Sequence, residues 1–137
     1  MQRPSVLIID DSEIERYILS HQLKEIGVSE IMQKSDGKSG LEFLKDYSQN
    51  QQQFGANFPP NIIILDVNMP IIGGFEFLQK FAELKTHFDL STCQILMYSG
   101  ADDPQEQSHA LQYDFVKGFL IKGESNIEEL KTKIGTM

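Results

Sequence analysis

Three acidic residues stand at the ends of short apolar runs. Asp10 and Asp11 follow Val6-Leu7-Ile8-Ile9, and Asp66 follows Ile62-Ile63-Ile64-Leu65. Ser99 closes a third such run and Lys122 a fourth. Carboxylates gathered in one place repel one another unless a cation joins them. The set therefore implies a metal and something that the metal helps to handle.

Gathering these residues requires the apolar runs to be strands whose ends converge. In an open parallel α/β sheet the strand C-termini line one edge, and ligands bind there. Residues 6–9 and 62–65 are uninterruptedly apolar, as strands buried on both faces are. Residues 29–33 form a weaker second strand, 94–98 a fourth and 118–121 a short fifth. Helical patterns fill the intervals. The first helix opens at Asp11 or Ser12, with Glu15 completing a capping box, and stops at Gly27. Its apolar stripe is read as Ile14, Tyr17, Ile18, His21 and Ile26. The second opens at Asp36 or Ser39 and carries Leu41, Phe43, Leu44 and Tyr47. Residues 48–60, rich in Gln, Asn, Phe and Pro, extend that helix and then form a loop. A third helix after Gly73-Gly74 presents Phe75, Leu78, Phe81, Ala82 and Leu84. Asp103-Pro104 opens a fourth, since proline suits the first helical position. Residues 124–134 form the last, begun by a capping box from Ser125 to Glu128. Five alternations of strand and helix predict an α/β fold with one parallel sheet covered on both faces.

Composition narrows the function. The chain has 137 residues, 40% of them hydrophobic, which suits one domain with one core. No apolar run approaches a membrane span, and the opening residues lack the basic, apolar and small-residue succession of a secretory leader, so a cytoplasmic location without membrane contact is expected. The net charge is −8 and the lysines are dispersed, which argues against nucleic-acid binding. Cys93, the only cysteine, excludes an intramolecular disulfide and reads as a small buried residue. His21, His87 and His109 are assigned no chemistry.

Four motifs appear in order: Ile8-Ile9-Asp10-Asp11-Ser12; Ile64-Leu65-Asp66-Val67-Asn68-Met69-Pro70 followed by Gly73-Gly74; Met97-Tyr98-Ser99-Gly100; and Phe119-Leu120-Ile121-Lys122. Each alone is weak, but four at successive strand ends are not coincidence. Together they resemble the receiver domain of two-component response regulators. The resemblance covers nearly the whole chain and implies a single receiver domain over residues 1–137 with no output domain of its own. It implies a flavodoxin-like doubly wound sheet of order 2-1-3-4-5. It also implies that Asp66 is the phosphoacceptor, and that Asp10, Asp11, Asp66 and the backbone carbonyl of Asn68 hold Mg2+ or Mn2+. Lys122 then meets a phosphate oxygen, while Ser99 and Phe119 act as the switch pair. The implied donor is a sensor histidine kinase or a histidine phosphotransfer protein. The implied output is a protein partner that reads the face made by the helix after Asp103, the fifth strand and the last helix. On this reading the chain is a phosphorelay signalling switch rather than a conventional enzyme, with self-phosphorylation and self-dephosphorylation as its only reactions.

The departures from the family are informative. Gly123 follows Lys122 where the family usually has proline, often cis. A cis bond before a non-proline residue costs about 3–4 kcal/mol, so a trans bond is expected. The bulky stretch Tyr113-Asp114-Phe115 replaces a usual Gly-Ala pair, and Phe115 is expected on a partner surface. Serine replaces the commoner threonine at 99, and Phe119 lacks a tyrosine hydroxyl. Ala101, small and two residues past Ser99, predicts moderate rather than very slow self-dephosphorylation. Two rival functions remain. One is a phosphate-independent interaction module, favoured by Gly123. The other is a Mg2+-dependent phosphatase with Asp66 as nucleophile, which needs a general acid where Asn68 stands.

Overall fold

The computed structural model describes residues 4–123 and 127–135. Its strands are β1 (Ser5–Ile9), β2 (Glu30–Lys34), β3 (Ile62–Asp66), β4 (Gln94–Ser99) and β5 (Val116–Ile121). They pair in parallel in the order β2-β1-β3-β4-β5, the flavodoxin-like arrangement that the family resemblance implies. Helices α1 (Glu13–Glu25), α2 (Gly37–Lys45), α3 (Tyr47–Phe54), α4 (Gly74–Leu84), α5 (Pro104–Ala110) and α6 (Ile127–Gly135) connect or follow them, with a 3-10 turn at Gly55–Asn57. No helix among the described residues is long and apolar enough to cross a membrane.

The period of two along each strand divides the core into two layers. Leu7, Ile9, Ile63, Leu65, Ile95 and Met97 face one side and pack with Leu41 and Leu44 of α2, Phe77, Leu78 and Phe81 of α4, and Ala110 of α5. Val6, Ile8, Ile62, Ile64, Leu96 and Leu120 face the other, against Leu19 and Leu23 of α1 and Leu130 and Ile134 of α6. Both faces of β1 and β3 are therefore buried, which is why those strands lack polar alternation.

Three sequence expectations are corrected here. The buried face of α1 is not the stripe at Ile14, Tyr17 and Ile18; those three are exposed, at 72%, 70% and 41%. Leu19, Ser20 and Leu23 are buried instead, and Ile26 packs beside them. The helix carries two apolar arcs, and the sheet accepts only one. The second helix does not run on past Asp46, whose ψ of 51° breaks it; Tyr47 begins α3, held by stacking on Phe88 and by edge contact with Phe58. Phe115 is not on a partner surface. It is buried, edge-on to Phe81 and capped by the ammonium of Lys85 at 4.9 Å. Strand β5 begins two residues earlier than expected, so its entry turn folds Phe115 under α4. The expected capping box at Ser125 lies outside the described residues, and Cys93 is buried as expected.

Candidate functional site

The C-terminal ends of β1, β3, β4 and β5 converge because parallel pairing leaves Asp66 beside Tyr98 and Ser99 beside Ile121. Three bonds bring the exits together: Asp10 N donates to Lys34 O, Val67 N to Tyr98 O, and Lys122 N to Ser99 O at 2.7 Å. At β1 the Asp10 carboxylate accepts from Ser12 N at 2.8 Å, turning the chain into α1. Ser12 caps that helix by accepting from Glu15 N. The reciprocal half of the capping box is not made, because the Glu15 carboxylate reaches elsewhere. Arg16 Nη1 donates to Asp10 O at 2.6 Å and steadies the same turn. At β3, α4 starts so close to the strand end that a Cβ on Gly74 would meet Asp66 O at 2.8 Å and Val67 Cα at 2.9 Å. Only glycine lets that helix seat behind the carboxylate.

The structure brings Asp10, Asp11, Asp66 and Lys122 together. Ligand-type oxygens of the three aspartates lie within 4.8 Å of one another. Asp10 and Asp66 are buried and Asp11 is exposed, so the pocket opens on the Asp11 side. Lys122 Nζ lies 3.1 Å from Asp66 Oδ1 and 3.2 Å from Asp10 Oδ2, the latter an ion pair outside hydrogen-bond alignment. Asp66 Oδ1 also accepts from Asn68 N at 3.2 Å. Asp66 Oδ2 is buried and has no hydrogen-bond partner. A buried carboxylate oxygen left bare is costly unless a ligand completes it. Burial, reinforced by the Asp10 charge, pushes the Asp66 carboxyl up from 3.8 to about 6, against the pull of Lys122 and the Asn68 N–H. Burial works against charge on Lys122 as well, but the two carboxylates prevail and hold its ammonium above the usual lysine range. One cation facing two buried anions leaves a net negative hole. That donor set, hard oxygens of which two, Asp10 Oδ2 and Asp66 Oδ2, lack a hydrogen bond, fits a Mg2+ ion.

Ser99 and Phe119 stand apart from that cluster. The buried Ser99 hydroxyl donates to Ala101 O at 2.9 Å and accepts from Ala101 N at 3.2 Å, so it is engaged by the loop after β4. Phe119 is half-buried, opposite Met97 in the β4–β5 register, and packs on the layer shared with α4 and α5. Gly123 has φ of 81°, and the only cis bond among the described residues is Phe58–Pro59, so the Lys122–Gly123 bond is trans as expected.

Sequence reasoning missed Glu15 and Tyr98. The Tyr98 hydroxyl donates to Glu15 Oε2 at 2.8 Å, and its ring lies under Lys122 Nζ, 5.2 Å from the centroid. Burial first, and the Glu15 carboxylate second, keep the phenol protonated. The only signal in the sequence was an aromatic immediately before Ser99. Ile71, in the loop after β3, was also passed over. It is 90% exposed, with a φ of 69° in a tight turn closed by Ile72 N donating to Pro70 O.

The sequence profile of the response regulator receiver domain matches residues 6–135. Histidine kinase CKI1 of Arabidopsis thaliana is 26% identical over 131 residues, which are 94% of this chain and 12% of that protein. The chain thus spans a small part of this curated relative. A two component response regulator from Cytophaga hutchinsonii superposes with a TM-score of 0.81 at 26% identity, covering 98% of this chain and 97% of that one. The CKI1 receiver domain complexed with Mg2+ and BeF3− superposes with a TM-score of 0.78 at 26% identity, covering 98% and 91%.

Proposed function

The chain belongs to the response regulator receiver domain family, and we propose that it accepts a phosphoryl group on Asp66 and converts the added charge into a changed protein-binding surface. The observation that carries this reading is the bare, buried Asp66 Oδ2 in a pocket of three carboxylates and one lysine. Asp10, Asp11, Asp66 and the backbone carbonyl of Asn68 would hold Mg2+. When bound, the ion neutralises the charge that develops on the transferring phosphoryl oxygens.

The chain's own residues do the rest. At neutral pH the Asp66 carboxyl is ionised yet more basic than an ordinary aspartate, which favours it as a nucleophile. Its oxygen bonds to phosphorus as the P–N bond of a phosphohistidine donor breaks, and the electron pair leaves with the imidazole. Lys122 exchanges Asp66 Oδ1 for a phosphoryl oxygen. Ser99 leaves the Ala101 loop to donate to another phosphoryl oxygen, and Phe119 turns into the space released. The face of α5, β5 and α6 then presents a different surface to a downstream partner.

The donor is a sensor histidine kinase or a histidine phosphotransfer protein. Two features support a protein donor here. Ile14, Tyr17 and Ile18 lie exposed on α1, which starts directly after Asp10-Asp11-Ser12, and Ile71 lies exposed in a strained turn after Asp66. Exposed apolar side chains flanking a reactive pocket suit a partner surface. Asn68 offers an amide where a phosphatase would need a general acid, so turnover of small phosphate esters is not expected.

Intact-protein mass after incubation with acetyl phosphate, with and without Mg2+, tests the reading on wild type and Asp66→Asn. A Mg2+-dependent phosphoryl adduct that vanishes in the variant supports it. An adduct that persists in Asp66→Asn, or none from acetyl phosphate or from a phosphorylated histidine donor, overturns it.

A further inference from the structure

We propose that Tyr98 is a positioning residue for phosphoryl transfer: its ring is the seat that aims the Lys122 ammonium into the pocket, and Glu15 locks that ring in place. The inference rests on Asp66 being the phosphoacceptor and adds the group that orients its lysine.

Lys122 needs such a seat. The chain just past it is Gly123, with a φ of 81° and, among the described residues, no atom within 4 Å of where a Cβ would be. The backbone of Lys122 is held by its N–H bond to Ser99 O, but that bond does not direct the side chain. The lysine side chain has four rotatable bonds, and an ammonium is a point charge with no preferred direction of approach. Two carboxylates attract it but do not fix its angle. The Tyr98 ring supplies a third contact. Lys122 Nζ sits over the ring face, 5.2 Å from the centroid, while 3.1 Å from Asp66 and 3.2 Å from Asp10. Three contacts from three strands locate one atom.

The ring is itself immobile. Tyr98 is buried in β4, in register with Asp66, and its hydroxyl donates to Glu15 Oε2 at 2.8 Å. Glu15 belongs to the first turn of α1, the helix that begins from the Asp10-Asp11 turn. One side chain thereby ties the metal-binding end of the fold to the strand beneath the lysine. A ring face also holds an ammonium without consuming its N–H groups in strong hydrogen bonds, as an oxygen would. Lys122 is thus free to pass from Asp66 Oδ1 to a phosphoryl oxygen without leaving its seat.

The test compares wild type, Tyr98→Phe, Tyr98→Leu and Glu15→Ala. Phosphoramidate with Mg2+ is the phosphodonor, calorimetry reads Mg2+ affinity, and proton–carbon NMR reads the Lys122 ε-methylene, assigned by its loss in Lys122→Arg. Wild type and Tyr98→Phe should show that methylene shifted upfield by the ring. Tyr98→Phe, which keeps the ring but loses its bond to Glu15, should be slowed only as much as Glu15→Ala, whereas Tyr98→Leu should react about tenfold slower. Glu15→Ala, which leaves the core intact but frees the ring, should slow the reaction in the same direction and keeps the test alive if Tyr98→Leu does not fold. Mg2+ affinity should not weaken in any variant; a general collapse of the pocket would weaken it. An unshifted Lys122 methylene in wild type, an unslowed Tyr98→Leu, or a Tyr98→Phe as slow as Tyr98→Leu overturns the proposal. A wild type that takes no phosphoryl group refutes the role of Asp66 instead, and the Lys122 resonance then still decides whether the seat exists.

Discussion

Replacing Asp66 by asparagine should change how the protein's stability depends on pH, and the size of the change follows from the pocket. Burial and the Asp10 charge raise the Asp66 carboxyl from 3.8 to about 6. A raised acid binds its proton more tightly in the native state than in the unfolded chain. Its favourable contribution is therefore complete below the unfolded value, is lost as pH rises from 3.8 through about 6, and is constant above. At about 1.4 kcal/mol per pH unit, that interval is worth about 3 kcal/mol. Asp66→Asn removes the titration and should keep the bond from Asn68 N to its side-chain oxygen. The attraction of Lys122 is felt only by the ionised carboxylate and is already contained in that titration. The assay is urea unfolding of both proteins, followed by circular dichroism from about pH 4 to about pH 7.5 in EDTA. The variant's stability minus that of wild type should rise by about 2 kcal/mol across this range, the rest of the interval lying below about pH 4. Added Mg2+ should restore much of the loss in wild type and little in the variant, because a ligand that binds only the native state stabilises it. A difference that stays flat with pH would refute the claim that Asp66 is a strained, under-neutralised acid.

Other substitutions probe other parts of the same structure. Phe115→Ala should cost about 3–5 kcal/mol in urea unfolding, as for a buried aromatic; a loss below about 1 kcal/mol would return Phe115 to the surface. Gly74→Ala should cost about 1–3 kcal/mol and slow adduct formation, since its Cβ presses on Asp66 O and Val67 Cα; unchanged stability would mean that α4 can move away. Ile14→Glu combined with Tyr17→Ala should reduce transfer from a phosphohistidine protein while leaving phosphorylation by acetyl phosphate unchanged, and equal loss from both donors would place the defect in the pocket rather than in docking.

Much of this molecule was legible along the chain. Uninterrupted apolar runs marked β1 and β3 because strands buried on both faces keep polar residues to their ends, as at Ser5 and Asp66. Alternation with helical stretches led to the parallel sheet, and acids and a lysine at strand ends led to one edge. Ser12, Asp36 and Asp103 announced three helix starts, because a cap is a bond within four residues of sequence. The misreadings all concern choices between locally equivalent options. Helix α1 has two apolar arcs, and only the packed sheet decides that Leu19 and Leu23 go inward while Ile14 and Tyr17 stay out. Phe115 reads equally well as core or contact until α4 is laid over it. Glu15 has the spacing of a capping box, yet its carboxylate bonds a tyrosine 83 residues away. Local bonds and burial patterns act over a few residues, so sequence alone determines them. The partner of a side chain that could satisfy itself in two ways, and the charge state of Asp66 among its neighbours, depend on groups brought together only by the sheet.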